Sequence, residues 1–150
     1  MGEILSDVAD AGVTYGGPVP KTDVAAVYAG FDALLLILGT GRYVTSGKVF
    51  EYLSTGLPIV SVHDPGNAAT DVLRGYPLWF PARELTVEAV SDALVAAAKA
   101  AAHVDHDKRA AGKAFAEMYS REHQLFPRID HLLHTVGAVA LANADEQVAS

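Results

Sequence analysis

Cysteine is absent from the 150-residue chain. Disulfide bonds and thiolate metal sites are therefore excluded, and the absence fits a reducing cytoplasm. Basic residues are also scarce, because 11 Lys and Arg stand against 18 Asp and Glu, which gives a net charge of −7. Nucleic-acid backbones are bound by positively charged surfaces, so we expect no nucleic-acid partner.

Long apolar runs are missing as well. The longest unbroken runs have six residues, Ala33–Leu38 among them, and are far shorter than the roughly 20 residues that a membrane-spanning helix needs. The N-terminal residues lack the basic segment followed by an apolar run that marks a signal peptide. We therefore expect a cytoplasmic protein without a transmembrane segment, either free or peripheral to the inner face of the membrane.

Short apolar runs alternate with helical periodicity in the first half of the chain. We expect strands at Val13–Tyr15, Ala33–Leu38, Ile59–Val62 and Leu78–Phe80, and helices at Thr22–Gly30 and Ser46–Thr55. Strands separated by helices indicate parallel βαβ units with right-handed crossovers. The continuous apolar run Ala33–Leu38 also predicts a strand that is buried on both faces. The expected fold class is α/β, a Rossmann-like doubly wound parallel sheet.

The second half is predicted to be helical. Thr86 is expected to cap a helix. The apolar stripe of that helix is predicted to be Val87, Val90, Leu94 and Ala97 or Ala98. Another helix is expected from Lys108 to Gln124, with Pro127 breaking it and opening the next one. We therefore expect a helical C-terminal extension to one domain over residues 1–142, followed by a frayed tail at residues 143–150.

The candidate chemistry lies where the first helix after a buried strand begins, at Ser46. In open parallel sheets ligands bind at the carboxyl edge, which is where this helix start is expected. The amides of Ser46, Gly47 and Lys48 can point at an anion that the helix dipole favours, and Gly47 allows close backbone approach. A phosphate would also pair with the ammonium of Lys48.

Glu51 follows Lys48 by three residues, so both side chains can face the same crevice. A carboxylate there can accept both hydroxyls of a ribose. The same spacing is also compatible with a solvated surface pair between Lys48 and Glu51. These two interpretations remain open on spacing alone.

The segment SGKVFEYLSTGLPIV, residues 46–60, resembles a motif of GT-B glycosyltransferases, particularly the large retaining group called family 4. Val13–Pro20 and Val27–Leu36 are similar to the family's preceding strand and turn and to its preceding helix end and strand. His63–Leu73 resembles the glycine-containing loop and short helix that follow. Residues 13–100 match in order and spacing.

The resemblance implies a UDP- or GDP-sugar donor as substrate and no cofactor or metal. Its diphosphate would lie on Ser46, Gly47 and Lys48, and its ribose hydroxyls on Glu51. The loop Gly17–Lys21 would lie near the base. The residues expected near the donor cleft are Gly17, Lys21, Tyr43 and His63. Tyr43 departs from the family pattern, because many members carry a second glutamate eight positions before the one that matches Glu51.

The resemblance also implies an acceptor domain and two further strands before residue 1. Without those two strands, the sheet of this chain would have about four strands, with Val13–Tyr15 either paired beside Ala33–Leu38 or loose. Its open edges would favour dimerisation. We expect the donor-binding half of a retaining glycosyltransferase that is inactive alone, with an N-terminal acceptor-binding domain or a homodimer as partner. The alternatives are a non-catalytic nucleotide- or partner-binding module and a nucleotide-sugar epimerase of similar fold.

The six histidines invite a metal interpretation. His103 and His106, like His131 and His134, are spaced i, i+3, whereas zinc sites on one helix more often use i, i+4 pairs and a third ligand. Solvated helix faces are the favoured interpretation, and no metal is expected. His63 follows a strand at the carboxyl edge, where it either lines the donor cleft or is an ordinary loop residue.

Overall fold

The computed structural model describes residues 11–39, 41 and 46–148, with side chains as far as residue 134. The chain divides into two compact units, Met1–Gly30 and Phe31–Ser150. In the first unit, helix α1 spans Val24–Ala29, inside the predicted Thr22–Gly30. The amide of Asp23 donates a hydrogen bond to Pro20 O at 2.9 Å, which forms the turn before α1.

The second unit contains a parallel sheet of three strands in the order β1, β2, β3. The strands are β1 Leu34–Ile37, β2 Ile59–Val62 and β3 Trp79–Pro81, connected by helices α2 Gly47–Leu53 and α3 Ala68–Leu73. Three further helices follow, α4 Val87–Ala101, α5 His106–Glu117 and α6 Arg121–Val148. The predicted α/β class with a Rossmann-like parallel sheet and a helical C-terminal end is confirmed.

Val13–Tyr15 forms no strand, so the predicted strand is wrong and the described sheet has three strands rather than four. The side chains of Val13 and Tyr15 are exposed. The run is only three residues long and leads into Gly16 and Gly17, of which Gly17 has φ 80°. Such a short segment beside permissive glycines gains too little from burial to offset the entropy of ordering it.

Strand β1 is not buried on both faces, contrary to the prediction. Leu34 and Leu36 are buried, whereas Leu35 and Ile37 are 44% and 68% exposed. The reason is the position of α4, which packs mainly on β2 and β3. The central strand β2, by contrast, has Ile59, Val60 and Ser61 buried, as expected of a strand with neighbours on both sides.

The core lies on both faces of the sheet. Leu36, Val49, Leu53 and Ile59 form part of the cluster beneath α2. The opposite cluster is built on Val60, Ala82, Ala93 and Ala97. The predicted stripe of α4 is therefore only partly correct: the predicted Ala97 is buried, but Val87 and Leu94 are exposed and Ala93, which was not predicted, is buried. Alanine on this face allows the helix backbone to approach the strands closely.

The C-terminal helices end and begin at other residues than predicted. The expected helix Lys108–Gln124 is interrupted after Glu117, and Pro127 lies inside α6 instead of breaking it. Ser120 accounts for the new boundary, because its Oγ accepts a hydrogen bond from the amide of His123 at 3.3 Å and thereby caps α6. Pro127 removes one hydrogen bond near the start of a 28-residue helix, which the remaining turns tolerate.

The described part of α6 carries an exposed apolar stripe. The exposed large apolar residues are Leu125, Phe126, Ile129, Leu132 and Leu133. Among the described residues, no helix has the length and hydropathy needed to cross a bilayer. The proposed domain limit at residue 142 stays a prediction.

Candidate functional site

The carboxyl ends of β1 and β2 lie side by side because the two strands are parallel and in register, with Ile37 opposite Val62. The pairing continues past the strands, since the amide of Leu38 donates to Val62 O at 3.1 Å. Beyond it, Asn67 Nδ2 donates to Gly41 O at 2.6 Å. The loop after β1 and the loop after β2 are thus joined at one edge of the sheet, the edge where ligands bind in this architecture.

Helix α2 begins at this edge. Ser46 is its N-cap, with extended backbone and a side-chain oxygen that accepts from the amide of Lys48 at 3.3 Å. The buried Val49 and Leu53 anchor the helix on the sheet. The predicted helix of residues 46–55 is confirmed, with each end within two residues of the predicted one. The amide of Lys48 already has a partner in Ser46 Oγ, so a bound anion would share or replace that bond.

Lys48 and Glu51 are directed to the same side of α2. Their side chains form an ion pair with Nζ and Oε2 3.3 Å apart, and each is about half exposed, at 53% and 52%. The Lys48 ammonium also lies 6.0 Å from the ring centre of Tyr52. A solvated ion pair of this kind contributes little to stability, about 0–1 kcal/mol. Both groups are accessible to a ligand at the start of α2.

Gly47 leaves open space beside the first turn of α2. An ideal Cβ built on it would meet no described heavy atom within 4 Å, apart from its chain neighbours. The fold therefore does not require glycine here. A ligand that approaches the backbone closely would require it, as the sequence interpretation expects for a diphosphate.

Two glycines, Gly56 and Gly112, allow close packing of α5 beyond the other end of α2. Gly56 has φ 68°, and a Cβ on it would lie 2.6 Å from Arg109 O. A Cβ on Gly112 would lie 3.2 Å from Gly56 Cα and 3.0 Å from Tyr76 Oη. The Tyr76 hydroxyl donates to Leu57 O at 2.8 Å, and burial raises the pKa of Tyr76. This packing fixes the axis along which α2 presents its first turn.

Comparison with protein families matches residues 3–134 to the family described as glycosyl transferase-like. The chain belongs to the glycosyl transferase-like family. The resemblance to glycosyltransferases is thereby confirmed, and the role of this chain lies in glycosyl transfer. Searches of curated proteins and of solved structures found no match.

In this glycosyl transferase-like chain, the predicted cleft residue His63 lies at the same carboxyl edge. Its side chain is 4% exposed, and its Nδ1 lies 3.0 Å from Asp64 O. The other ring nitrogen, Nε2, is buried without a hydrogen-bond partner among the residues that the structure describes. The sequence left His63 open between a cleft residue and an ordinary loop residue, and the structure makes it a buried polar group at the strand end.

Asn67 is the residue of this edge that sequence reasoning missed. Its Oδ1 accepts a hydrogen bond from the amide of Ala69 at 2.9 Å and caps α3, while its Nδ2 donates a hydrogen bond to Gly41 O. The side chain is buried at 2% exposure. Asparagine directly before an apolar helix is a capping signal, and it could have been read from the sequence.

We also expected Gly17, Lys21 and Tyr43 near the donor cleft, and this stays a prediction. Gly17 and Lys21 belong to the first compact unit, where Gly17 has φ 80° and Lys21 is exposed. Tyr43 lies outside the described residues. The structure brings together Ser46, Gly47, Lys48 and Glu51 within the first two turns of α2. Among the residues described, no group of three or more His, Asp or Glu side chains converges in a way that could hold a metal ion.

Proposed function

We propose that this chain binds a nucleoside-diphosphate sugar, UDP- or GDP-linked, at the carboxyl edge of its sheet. It acts as the donor-binding half of a retaining glycosyltransferase. The observation that carries the proposal is the exposed first turn of α2, where Lys48 and Glu51 share one side of a helix capped by Ser46. Membership of a glycosyl transferase-like family supports the same substrate class.

The proposed roles follow from charge. The diphosphate binds the first turn of α2, where the backbone of Gly47 can be approached and the helix dipole favours an anion. Lys48 turns from Glu51 to a phosphate oxygen, because a dianionic diphosphate attracts the ammonium more strongly than one half-exposed carboxylate. Glu51 then accepts the ribose hydroxyls. During transfer Lys48 stabilises the negative charge that develops on the departing nucleoside diphosphate.

We further propose that turnover requires an acceptor-binding partner domain and that this chain alone transfers no sugar. The exposed apolar stripe of α6 defined above supports a partner surface, since clustered apolar side chains mark interaction sites. A homodimer is the alternative partner. Light scattering on the purified chain separates the two, because only a homodimer gives a molar mass twice that of one chain.

Isothermal titration with UDP, GDP, UDP-glucose and GDP-mannose tests the donor site. We expect Lys48→Ala to weaken binding at least tenfold, or about 1.4 kcal/mol, because one charge-assisted contact to phosphate is lost. Arg74→Ala is the matched control, since Arg74 forms a comparable i, i+3 ion pair with Asp71 at 3.2 Å on another helix. Equal affinities of wild type and Lys48→Ala would refute the assigned site.

The second candidate function is a non-catalytic nucleotide-binding module. Many GT-B glycosyltransferases of family 4 carry a glutamate at the position of Tyr43. Tyrosine at this position favours the non-catalytic module. A radiolabelled sugar-transfer and donor-hydrolysis assay on the chain, with and without a supplied acceptor domain, separates the two functions. Nucleotide binding without turnover in either setting supports the module, and turnover with the acceptor domain supports the transferase.

A further inference from the structure

His63 stands on the sheet face that α2 covers. Side chains alternate along β2, with Ile59 packed in the cluster beneath α2 and Val60 in the opposite cluster. Ser61 and then His63 continue the series that starts with Ile59. The strand end and the first turn of α2 meet at the same carboxyl edge, where Asn67 joins the two loops.

The hydrogen bond at Nδ1 of His63 determines whether the other ring nitrogen, Nε2, is a donor or an acceptor. Asp64 O is a carbonyl oxygen and can only accept, so Nδ1 of His63, 3.0 Å away, carries the proton. In the neutral imidazole Nε2 is therefore a bare acceptor. This acceptor is buried in a side chain only 4% exposed, and no described group donates to it. Buried polar atoms without a partner are uncommon in folded proteins and call for an explanation.

We propose that Nε2 of His63 accepts a hydrogen bond from a hydroxyl of the bound nucleotide sugar. This inference rests on the proposed function above. Because Nε2 is an acceptor, its partner must be a hydrogen-bond donor. The phosphate oxygens of a diphosphate are acceptors at neutral pH. The hydroxyls of ribose and of the transferred sugar, by contrast, can donate. Because water does not reach Nε2 in the structure, the contact requires a small local movement as the ligand enters.

Two substitutions separate this role from a structural one. In His63→Asn the side-chain NH2 group replaces Nδ1 and can still donate to Asp64 O, but nothing replaces Nε2. In His63→Gln the longer side chain carries an oxygen acceptor to the region of Nε2 and loses the bond to Asp64 O. A positioning role through Asp64 would preserve function in His63→Asn, whereas a ligand-contacting role would preserve it in His63→Gln.

The test compares the affinities of wild type, His63→Asn and His63→Gln for UDP, GDP, UDP-glucose and GDP-mannose. We expect His63→Asn to lose at least fivefold in affinity and His63→Gln to stay within twofold of wild type. A loss confined to the nucleotide sugars assigns the contact to the sugar, and an equal loss with UDP or GDP assigns it to the ribose. Wild-type affinity in His63→Asn, or the reverse order of the two variants, overturns the proposal.

A measurement on the wild-type chain covers the case in which a variant does not fold. The 15N resonance of His63 Nε2 reports an unprotonated nitrogen in the free protein and should move when a hydroxyl donates to it. Binding of a nucleotide sugar without any change at Nε2 overturns this inference and leaves the donor site intact. Failure of wild type to bind any of the four nucleotides overturns the donor site, and this inference with it.

Discussion

Asn67 Nδ2 donates a hydrogen bond of 2.6 Å to Gly41 O, across 26 residues of sequence, and joins the loops that follow β1 and β2. The same side chain caps α3 through the amide of Ala69. One buried amide thus satisfies two backbone groups at the edge where the candidate site lies. Its two functional atoms differ in chemistry, so they can be tested separately.

Asn67→Asp should keep the cap and lose the link between the loops. A carboxylate accepts from the amide of Ala69, but it cannot donate to Gly41 O and repels it. We expect a loss of about 1–3 kcal/mol in the free energy of unfolding, the range for a buried group left without its partner. Urea unfolding measures it. The control is Thr86→Asp at the exposed cap of α4, expected to change stability by less than about 0.5 kcal/mol. Equal stability of Asn67→Asp and wild type would contradict the assigned bond.

Gly47→Ala should leave the fold intact and impair binding of UDP or GDP. An alanine Cβ would meet no described atom within 4 Å, and alanine is the better helix former, so stability should be unchanged or slightly higher. A diphosphate on the backbone of the first turn would meet that methyl group. We expect at least a tenfold loss of affinity in calorimetric titration.

The control for this substitution is Gly30→Ala, where the new Cβ would be in ordinary contact with Val27 O at 3.5 Å. Gly30 lies after α1 and is not among the residues assigned to the candidate site, so nucleotide affinity should not change. If Gly47→Ala binds as tightly as wild type, the diphosphate does not lie on this turn.

Gly56→Ala should destabilise the protein strongly. The positive φ of 68° costs an alanine about 1–2 kcal/mol. The new methyl group would also lie 2.6 Å from the backbone oxygen of Arg109. This steric clash can be relieved only if α2 and α5 move apart. Gly75→Ala provides the comparison, because it has φ 92° but its nearest neighbour is the Phe115 ring edge at 3.3 Å. Thermal unfolding should give a clearly lower midpoint for Gly56→Ala than for Gly75→Ala, and the opposite order would contradict the packing described.

The ionisation of Tyr76 should lower the free energy of unfolding in alkaline solution. Burial raises its pKa above the ordinary value of 10.0, with a smaller opposing effect from Arg109. The unfolded chain therefore releases this proton first, so the contribution is fully present below pH 10 and is lost as pH rises beyond it, by at most about 1.4 kcal/mol per pH unit. Urea unfolding at pH 7, 9 and 11 measures the effect.

Tyr76→Phe separates this contribution from other alkaline titrations. At pH 7 the variant should be less stable by about 1 kcal/mol, because Leu57 O loses its donor. Between pH 9 and 11 the variant should lose less stability than wild type, and the two curves should converge. Parallel curves would show that Tyr76 does not control the alkaline decline.

Local signals in the sequence determined most of the elements and where several of them begin. Thr86 is an N-cap in the structure, as predicted, and Ser46, where a helix was expected to begin, is the N-cap of α2. The apolar runs that contain Leu36 and Val60 each form a strand. These features depend on hydrogen bonds and propensities within a few residues, so the sequence contains them directly. The motif beginning at Ser46 also identified the family.

Only the tertiary structure decided which faces are buried and which distant groups meet. Leu35 and Ile37 are exposed because α4 packs mainly on the other two strands, a fact about the position of a helix 50 residues later in the chain. The bond from Asn67 to Gly41 and the buried acceptor of His63 likewise depend on two loops that converge in space. Burial and contact depend on the packing of whole elements, whereas caps and periodicity depend on neighbours along the chain.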